Sequence, residues 1–160
     1  MFTLPQLIEE DIQRLDSILH DLLVKSEAST AVIIDKGGFV VTQKGDYEHF
    51  DITTLSALGA ASFTATQAIA NLIGESNFSS IYQQGESFSL LINNIDAHCL
   101  MVVIFKAHIS VGAVKYYAAN AIYQIAEQLR KARERAPESG LDLSMLNLED
   151  TTEIFRRKSS

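Results

Sequence analysis

The sequence predicts an α+β domain, in which a five-stranded antiparallel sheet is sandwiched by helices. Two observations carry this prediction. Apolar residues follow helical or strand-like patterns in the order α-β-β-α-β-β-β-α. The last three strand-like runs also lie too close together for parallel crossovers, which need a dozen or more residues. The 160 residues suit one compact domain, which we place at residues 1–136, with 137–160 as a C-terminal tail.

The first three elements are a helix and a β-hairpin. Apolar residues spaced three and four apart predict a helix over residues 5–25. The β-branched run TAVIID at 30–35 predicts a buried strand, and a return strand follows at 39–43. Gly37 and Gly38 suit the turn between them, because glycine tolerates positive φ.

The second half of the domain should contain a helix, three strands and a last long helix, at residues 52–74, 78–84, 87–93, 99–105 and 111–135. Gly74 suits the position just after a helix. The run CLMVVIF at 99–105 is apolar throughout, which predicts a central strand covered on both faces. Pro137 to Gly140 is expected to close the domain, because proline interrupts a helix.

Composition argues against several classes of protein. The formal net charge of −7 disfavours nucleic acid as the main partner. The single cysteine leaves no disulfide framework, and the acidic start does not resemble a signal peptide, so we expect a cytoplasmic protein. Residues 52–74 are uncharged but carry too many hydroxyl and amide groups for a membrane span, so no integral membrane segment is expected.

The sequence offers no catalytic constellation. Cys99 begins the most apolar strand and is therefore predicted to be a core residue. The four histidines lack metal-ligand spacing, and no phosphate-binding glycine motif occurs. Asp35 and Asp46 are interpreted as turn carboxylates. We therefore expect no enzyme active site, no metal and no cofactor.

The helix at 52–74 has no acidic or basic residue. A helical wheel divides it into a wide apolar arc and an uncharged polar strip. The apolar arc consists of Leu55, Ala57, Leu58, Ala61, Ala65, Ala68, Ile69, Leu72 and Ile73. The polar strip consists of Ser56, Ala60, Thr64, Gln67 and Asn71. We expect the arc to pack on the sheet and the strip to contact a partner, because interface centres are depleted of charge. The alternative is a helix mostly buried within its own subunit.

The strand at 78–84 is a candidate dimer edge through Ser79, Ile81 and Gln83. It contains neither lysine nor proline, the residues that commonly protect exposed sheet edges. Such an edge could pair with its own copy about a two-fold axis, giving a homodimer with a continuous sheet.

These features together resemble the Roadblock/dynein light chain family and, within it, the bacterial MglB type. The resemblance rests on the element order and on three segments, IIDKGGFVV, ATQAIANLIGESNF and IYQQGE, and covers residues 5–135. It implies a Roadblock/profilin-like fold and a homodimer in which the second helices lie side by side and the third strands join. It also implies binding to a small Ras-like GTPase of the MglA type. The dimer would accelerate GTP hydrolysis without an arginine finger, by repositioning the GTPase's own catalytic residues.

The resemblance assigns GTPase contact to the polar strip together with Phe63. The full set is Ser56, Ala60, Phe63, Thr64, Gln67 and Asn71. The helix lacks arginine, as this mechanism requires, whereas Phe63 departs from the familiar pattern. A bulky charge at Ala60 or Thr64 should abolish GTPase binding and leave the fold intact. The implied roles are cell polarity and gliding motility, which can include enrichment at a cell pole.

Two other functions stay open from the sequence. One is a Roadblock scaffold that docks a partner without accelerating hydrolysis, and the other is a ligand-sensing domain of similar layering. The tail carries apolar residues that solvated linkers usually lack. A short helix at 151–157 could dock on a partner through Ile154 and Phe155, with Leu146 as a further docking residue of the tail. The alternative is a tail that lies on its own dimer or is disordered in isolation.

Overall fold

The structure, a computed structural model, describes residues 4–46 and 48–158, and beyond Arg135 it describes the backbone alone. The predicted order of elements is confirmed. The elements are α1 (Glu9–Ser26), β1 (Thr30–Asp35), β2 (Val40–Gly45), α2 (Ile52–Ile73), β3 (Ser80–Gln84), β4 (Phe88–Asn94), β5 (Cys99–Lys106) and α3 (Val111–Lys158).

The five strands form one antiparallel sheet in the order β2-β1-β5-β4-β3. The predicted central strand β5 lies in the middle, paired with β1 on one side and β4 on the other. The edges of the sheet are β2 and β3. This arrangement confirms the predicted fold class.

Each face of the sheet has its own hydrophobic core. Helices α1 and α3 pack on one face, where Phe105, Leu15 and Ile125 are fully buried. Helix α2 packs on the other face over a smaller core that includes Val32, Ile34, Leu100 and Val102. The helices therefore cover both faces, and among the described residues α2 is the helix on its side.

Helix α1 begins at Glu9, not at Pro5 as predicted. The Asp11 carboxylate accepts a hydrogen bond from the Ile8 backbone N–H at 2.9 Å, which satisfies one of the free donors at the helix start. Asp11 is fully buried and also accepts bonds from Gln128 and Arg135 of α3. The local bond from Ile8 to Asp11 caps the start of α1, and the two bonds from α3 tie that end to a distant helix.

Helix α3 continues to Lys158, past the predicted end near residue 135, and residues 151–157 lie within it. An internal proline removes one hydrogen bond and bends a helix without always ending it. The side chains of the predicted docking residues Leu146, Ile154 and Phe155 lie outside the described part, so their docking stays a prediction. Within residues 4–46 and 48–158, no helix is both long and apolar enough to cross a membrane.

Candidate functional site

Helix α2 has well-defined ends. The Asp51 side chain accepts a hydrogen bond from the Thr53 backbone N–H at 3.0 Å and another from the Thr54 hydroxyl. These bonds lower the pKa of the Asp51 carboxyl, and the bond from the Thr54 hydroxyl has the largest effect. The charged form of Asp51 is thereby favoured at the positive end of the helix dipole. At the other end Gly74 adopts φ +76°, a left-handed conformation that confirms its predicted role.

The predicted orientation of α2 is wrong, because the first part of the polar strip faces the sheet. Ser56, Ala60 and Phe63 are only 1–5% exposed. A methyl group added at Gly59 would already lie 3.5 Å from Val102 Cγ2, so the helix backbone is close to the sheet. Small residues on this side of the helix permit that approach, and bulkier residues of the apolar arc would not.

The hydroxyl groups of the strip are satisfied without water. The Ser56 hydroxyl donates to the Ile52 carbonyl at 2.7 Å, and the Thr64 hydroxyl donates to the Ala60 carbonyl at 3.0 Å. The Gln67 side chain donates to the Phe78 carbonyl at 3.0 Å, which holds the segment after α2 against the helix. Because buried polar groups are tolerated once they are hydrogen-bonded, the first part of the uncharged strip can pack inward.

The opposite side of α2 is an open apolar face. Leu58, Ile69 and Leu72 are 65%, 53% and 86% exposed. Four exposed alanines lie beside them, namely Ala57, Ala61, Ala65 and Ala68. We call these seven residues the open apolar face. Large exposed apolar surfaces on a folded domain usually mark sites of contact with another protein.

A cavity of about 470 Å³ lies along one border of α2. Its walls come from α2, from the β1–β2 and β4–β5 turns, and from the segment before β3. The lining residues are Lys36, Phe63, Thr64, Gln67, Asn77, Phe78, Ser79, Asn94, Asp96 and Ala97. We call it the α2 cavity, and it brings together four residues predicted as site residues.

The other predicted site residues lie around the cavity or on the sheet edge. Asn71 is exposed on the same border of α2 as Thr64. On the edge strand β3, Gln83 is exposed and Ile81 is half-buried over the smaller core. None of these placements tests partner binding, which stays a prediction.

Sequence reasoning missed the contribution of two turns to the cavity. The patterns around Lys36 and Asp96 indicate turns and nothing more. Their proximity depends on the backbone bond from Lys36 N–H to the His98 carbonyl, at 2.9 Å, which joins the two turns. No pattern within either turn indicates this approach.

The residues considered for chemistry have structural roles. Burial, helped by the charges of Asp96 and Asp35, raises the pKa of the Cys99 thiol to about 12, so the reactive thiolate does not form near neutral pH. Asp35 and Asp46 accept hydrogen bonds from nearby turn amides, which confirms their predicted roles. In the described part of the chain, no cluster of three or more His, Cys, Asp or Glu residues could hold a metal ion.

Solved structures define the class of protein to which this architecture belongs. A Roadblock/LC7 domain from Streptomyces avermitilis superposes with a TM-score of 0.58 over 75% of this chain and 95% of its own, and its 15% identity shows the fold alone. The three-layer arrangement, with α2 covering one face of the sheet, is therefore the Roadblock fold.

Two MglB structures are more similar. An MglB with a tetrameric arrangement has a TM-score of 0.76 and 30% identity, covering 80% of this chain and 96% of that one. The gliding protein MglB from Thermus thermophilus has a TM-score of 0.73 and 29% identity, covering 79% and 96%. The chain belongs to the Roadblock family and is of the MglB type. No family model and no curated protein matches the sequence.

Proposed function

We propose that this chain is a homodimeric regulator of a small Ras-like GTPase of the MglA type, and that it accelerates GTP hydrolysis without an arginine finger. The observation that carries the proposal is the open apolar face of α2 in a chain of the MglB type. A helix with no charged side chain and several exposed leucine and isoleucine side chains is suited to burial against other proteins.

The two edges of the sheet differ in a way that favours dimerisation through β3. Edge strand β2 is protected by Lys44, whose Nζ lies 3.6 Å from Asp16 Oδ2, and by a register shift opposite Ile33 and Ile34. Edge strand β3 has no lysine, no proline and no register shift. It is therefore the better template for pairing with a second copy.

The hydrogen-bonding pattern identifies which backbone groups of β3 are free to pair. The Asn94 N–H donates to the Ser79 carbonyl at 2.9 Å, so this pair is of the hydrogen-bonded type. Because such pairs alternate along an antiparallel ladder, the amides of Ser80, Tyr82 and Gln84 point away from β4. Three outward amides at a sheet edge can pair with the same residues of a copy, while the alanines of α2 let a second α2 approach closely.

The proposed GTPase contact lies on the border of α2 that carries Thr64, Gln67 and Asn71. Ser56, Ala60 and Phe63 set the orientation of the helix on the sheet, so their part in binding is indirect. All arginines with described side chains lie on α1 or α3, which pack on the other face of the sheet. A regulator of this kind would act by holding the GTPase's own catalytic groups in place, which stabilises charge developing on the γ-phosphate.

The test measures phosphate release from a small Ras-like GTPase of the MglA type with saturating protein. We expect acceleration of about tenfold or more, which corresponds to about 1.4 kcal/mol of barrier. Thr64→Arg should lose the acceleration, and Ser17→Arg, which adds the same charge to an exposed site on α1, should retain it.

The outcomes separate the proposal from its alternative. Binding without acceleration would make the protein a Roadblock scaffold, and no binding at all would overturn the GTPase proposal. A monomer in light scattering would overturn the homodimer.

The tail is a second proposed contact. We propose that Leu146, Ile154 and Phe155 dock on the GTPase, since these apolar residues recur in a segment otherwise rich in charge. A chain truncated before Pro137 should bind the GTPase more weakly, and unchanged affinity would reject this contact. Cytoplasmic action in cell polarity or gliding motility is the cellular role we propose.

A further inference from the structure

We infer that the α2 cavity receives an acidic side chain of the GTPase, whose carboxylate pairs with Lys36. This inference rests on the proposed function and identifies one contact within it.

Lys36 presents a fixed positive charge at the cavity. Its backbone N–H is bonded to the His98 carbonyl, and its Nζ lies 5.6 Å from the centre of the Phe63 ring. Phe63 is itself packed into the smaller core, so the ring is a rigid support. An aromatic face attracts an ammonium group without neutralising it. The charge is therefore held in position and stays free to pair.

Four of the other described cations already have carboxylate partners. Lys44, Arg130, Arg133 and Arg135 all form ion pairs. Among the side chains that the structure describes, none forms an ion pair with Lys36. A positioned cation without an internal carboxylate is suited to a carboxylate from another molecule.

A second observation points into the same cavity. The side-chain oxygen of Asn94 is buried and has no hydrogen-bond partner among the described groups. A buried acceptor of this kind is stabilised by a donor, such as the backbone N–H of an inserted segment. Gln67 donates one of its two amide hydrogens to Phe78, which leaves the other for an acceptor. The walls thus offer an acceptor, a donor and a cation.

The one carboxylate in the cavity wall does not oppose this assignment. Asp96 accepts hydrogen bonds from the backbone N–H groups of His98 and Cys99, both at 2.8 Å, and from the guanidinium of Arg133. Its negative charge is compensated by these donors, so repulsion of an incoming carboxylate is weak.

A protein side chain fits the cavity better than a free anion does. The net charge of −7 lowers the local concentration of anions around this chain. A side chain carried by a docked GTPase has a high effective concentration, because docking has already brought it to the surface. Thr64 lies both on the proposed contact border and in the cavity wall, so a partner seated on α2 can reach inside.

The test is the affinity of the GTPase for three variants. Lys36→Glu should weaken binding about tenfold or more at low salt, because it places like charges together. Lys36→Arg should stay within about threefold of the wild type, since it keeps the charge. Lys106→Glu, a charge reversal at an exposed cation on the same face of the sheet, should leave affinity unchanged. Thermal unfolding and dimer mass of each variant report whether the fold is retained.

A charge swap completes the experiment. Acidic surface residues of the GTPase are changed to lysine one at a time, and one of these changes should restore binding to Lys36→Glu. Loss of binding without any rescue would mean that the charge acts at long range, which overturns the inference. Wild-type affinity in Lys36→Glu would overturn the inference alone, whereas a wild-type chain that binds no GTPase would overturn the proposed function and the inference with it.

Discussion

Asp11 accepts three hydrogen bonds, two of which join the start of α1 to α3. Its carboxylate accepts from the Ile8 backbone N–H, from Gln128 at 2.7 Å and from Arg135 at 2.6 Å. Burial alone would raise the pKa of this carboxyl, but the bonds from Arg135, Ile8 and Gln128 outweigh burial and hold the pKa below its usual value. The sequence indicates only an acid near the positive end of a helix dipole.

The Asp11→Asn variant should be less stable by about 2 kcal/mol at pH 7, because it weakens charge-assisted bonds in a buried position. The measurement is urea unfolding monitored by circular dichroism. Arg130→Ala is the control, since Arg130 forms its ion pairs with Glu127 and Glu134 on the exposed side of α3. Equal losses of stability in the two variants would show that the buried bonds of Asp11 contribute no more than the exposed ion pairs of Arg130.

The stability difference between Asp11→Asn and the wild type should depend on pH. The folded-state pKa of Asp11 is lower than the unfolded value of about 3.9. Its contribution to the free energy of unfolding is therefore present above that unfolded value. It is lost as the pH falls through the lowered folded-state pKa. The difference in unfolding free energy between the wild type and Asp11→Asn should therefore shrink below about pH 4. A difference that stays constant from pH 7 to pH 2 would contradict this assignment.

At the scale of elements, the orientation of α2 on the sheet can be tested by placing an arginine at each of two adjacent positions. Ala60 is 5% exposed and faces the sheet, and Ala61 belongs to the open apolar face. Ala60→Arg should lower the free energy of unfolding by about 3 kcal/mol or more, because it buries an unpaired charge. This replaces the sequence-based expectation that a charge at Ala60 leaves the fold intact.

Ala61→Arg should keep a native circular dichroism spectrum and cooperative unfolding, but should lose the proposed dimer. Light scattering measures the mass, and thermal unfolding measures the stability of both variants. A dimeric Ala61→Arg would remove the open apolar face from the interface. Equal stability of the two variants would contradict the orientation of α2 in the structure.

The elements could be predicted from the sequence, but the rotation of α2 could not. Strand β1 occupies the predicted residues, and Gly74 follows α2 as expected. A helical wheel shows which side chains avoid water, but not whether the sheet or another protein covers them. Here the sheet is contacted by Ser56, Gly59 and Ala60, since small size matters more than hydrophobicity where a helix backbone approaches closely.

At the scale of the whole molecule, the sheet order decides which features become neighbours. The apolar run of β5 predicts its central position, and the structure places β3, which has no lysine or proline to protect it, at an edge. The α2 cavity could not be predicted, because its walls come from turns more than fifty residues apart in sequence, at Lys36 and at Asn94 to Ala97. Pairing of β1 with β5 brings those turns together, and that pairing is not encoded in either turn.

The outward amides of β3 provide the test of the assembly. Gln84 is exposed, and by the alternation of the β3–β4 ladder its N–H points away from the sheet. Gln84→Pro removes that donor without removing a hydrogen bond to β4, because proline is tolerated where the amide of an edge strand is free. We expect the dimer dissociation constant to rise about tenfold or more, and acceleration of GTP hydrolysis to fall with it.

Gln84→Thr changes the side chain at the same position and retains the amide, so it should stay dimeric and active. Analytical ultracentrifugation gives the dissociation constants, and phosphate release gives the activity at matched concentrations. If Gln84→Pro and Gln84→Thr dimerise equally, the two sheets do not join through β3, and the open apolar face of α2 must hold the two copies together by itself. If both variants are dimeric and only Gln84→Pro loses acceleration, the outward edge of β3 contacts the GTPase and not the second copy.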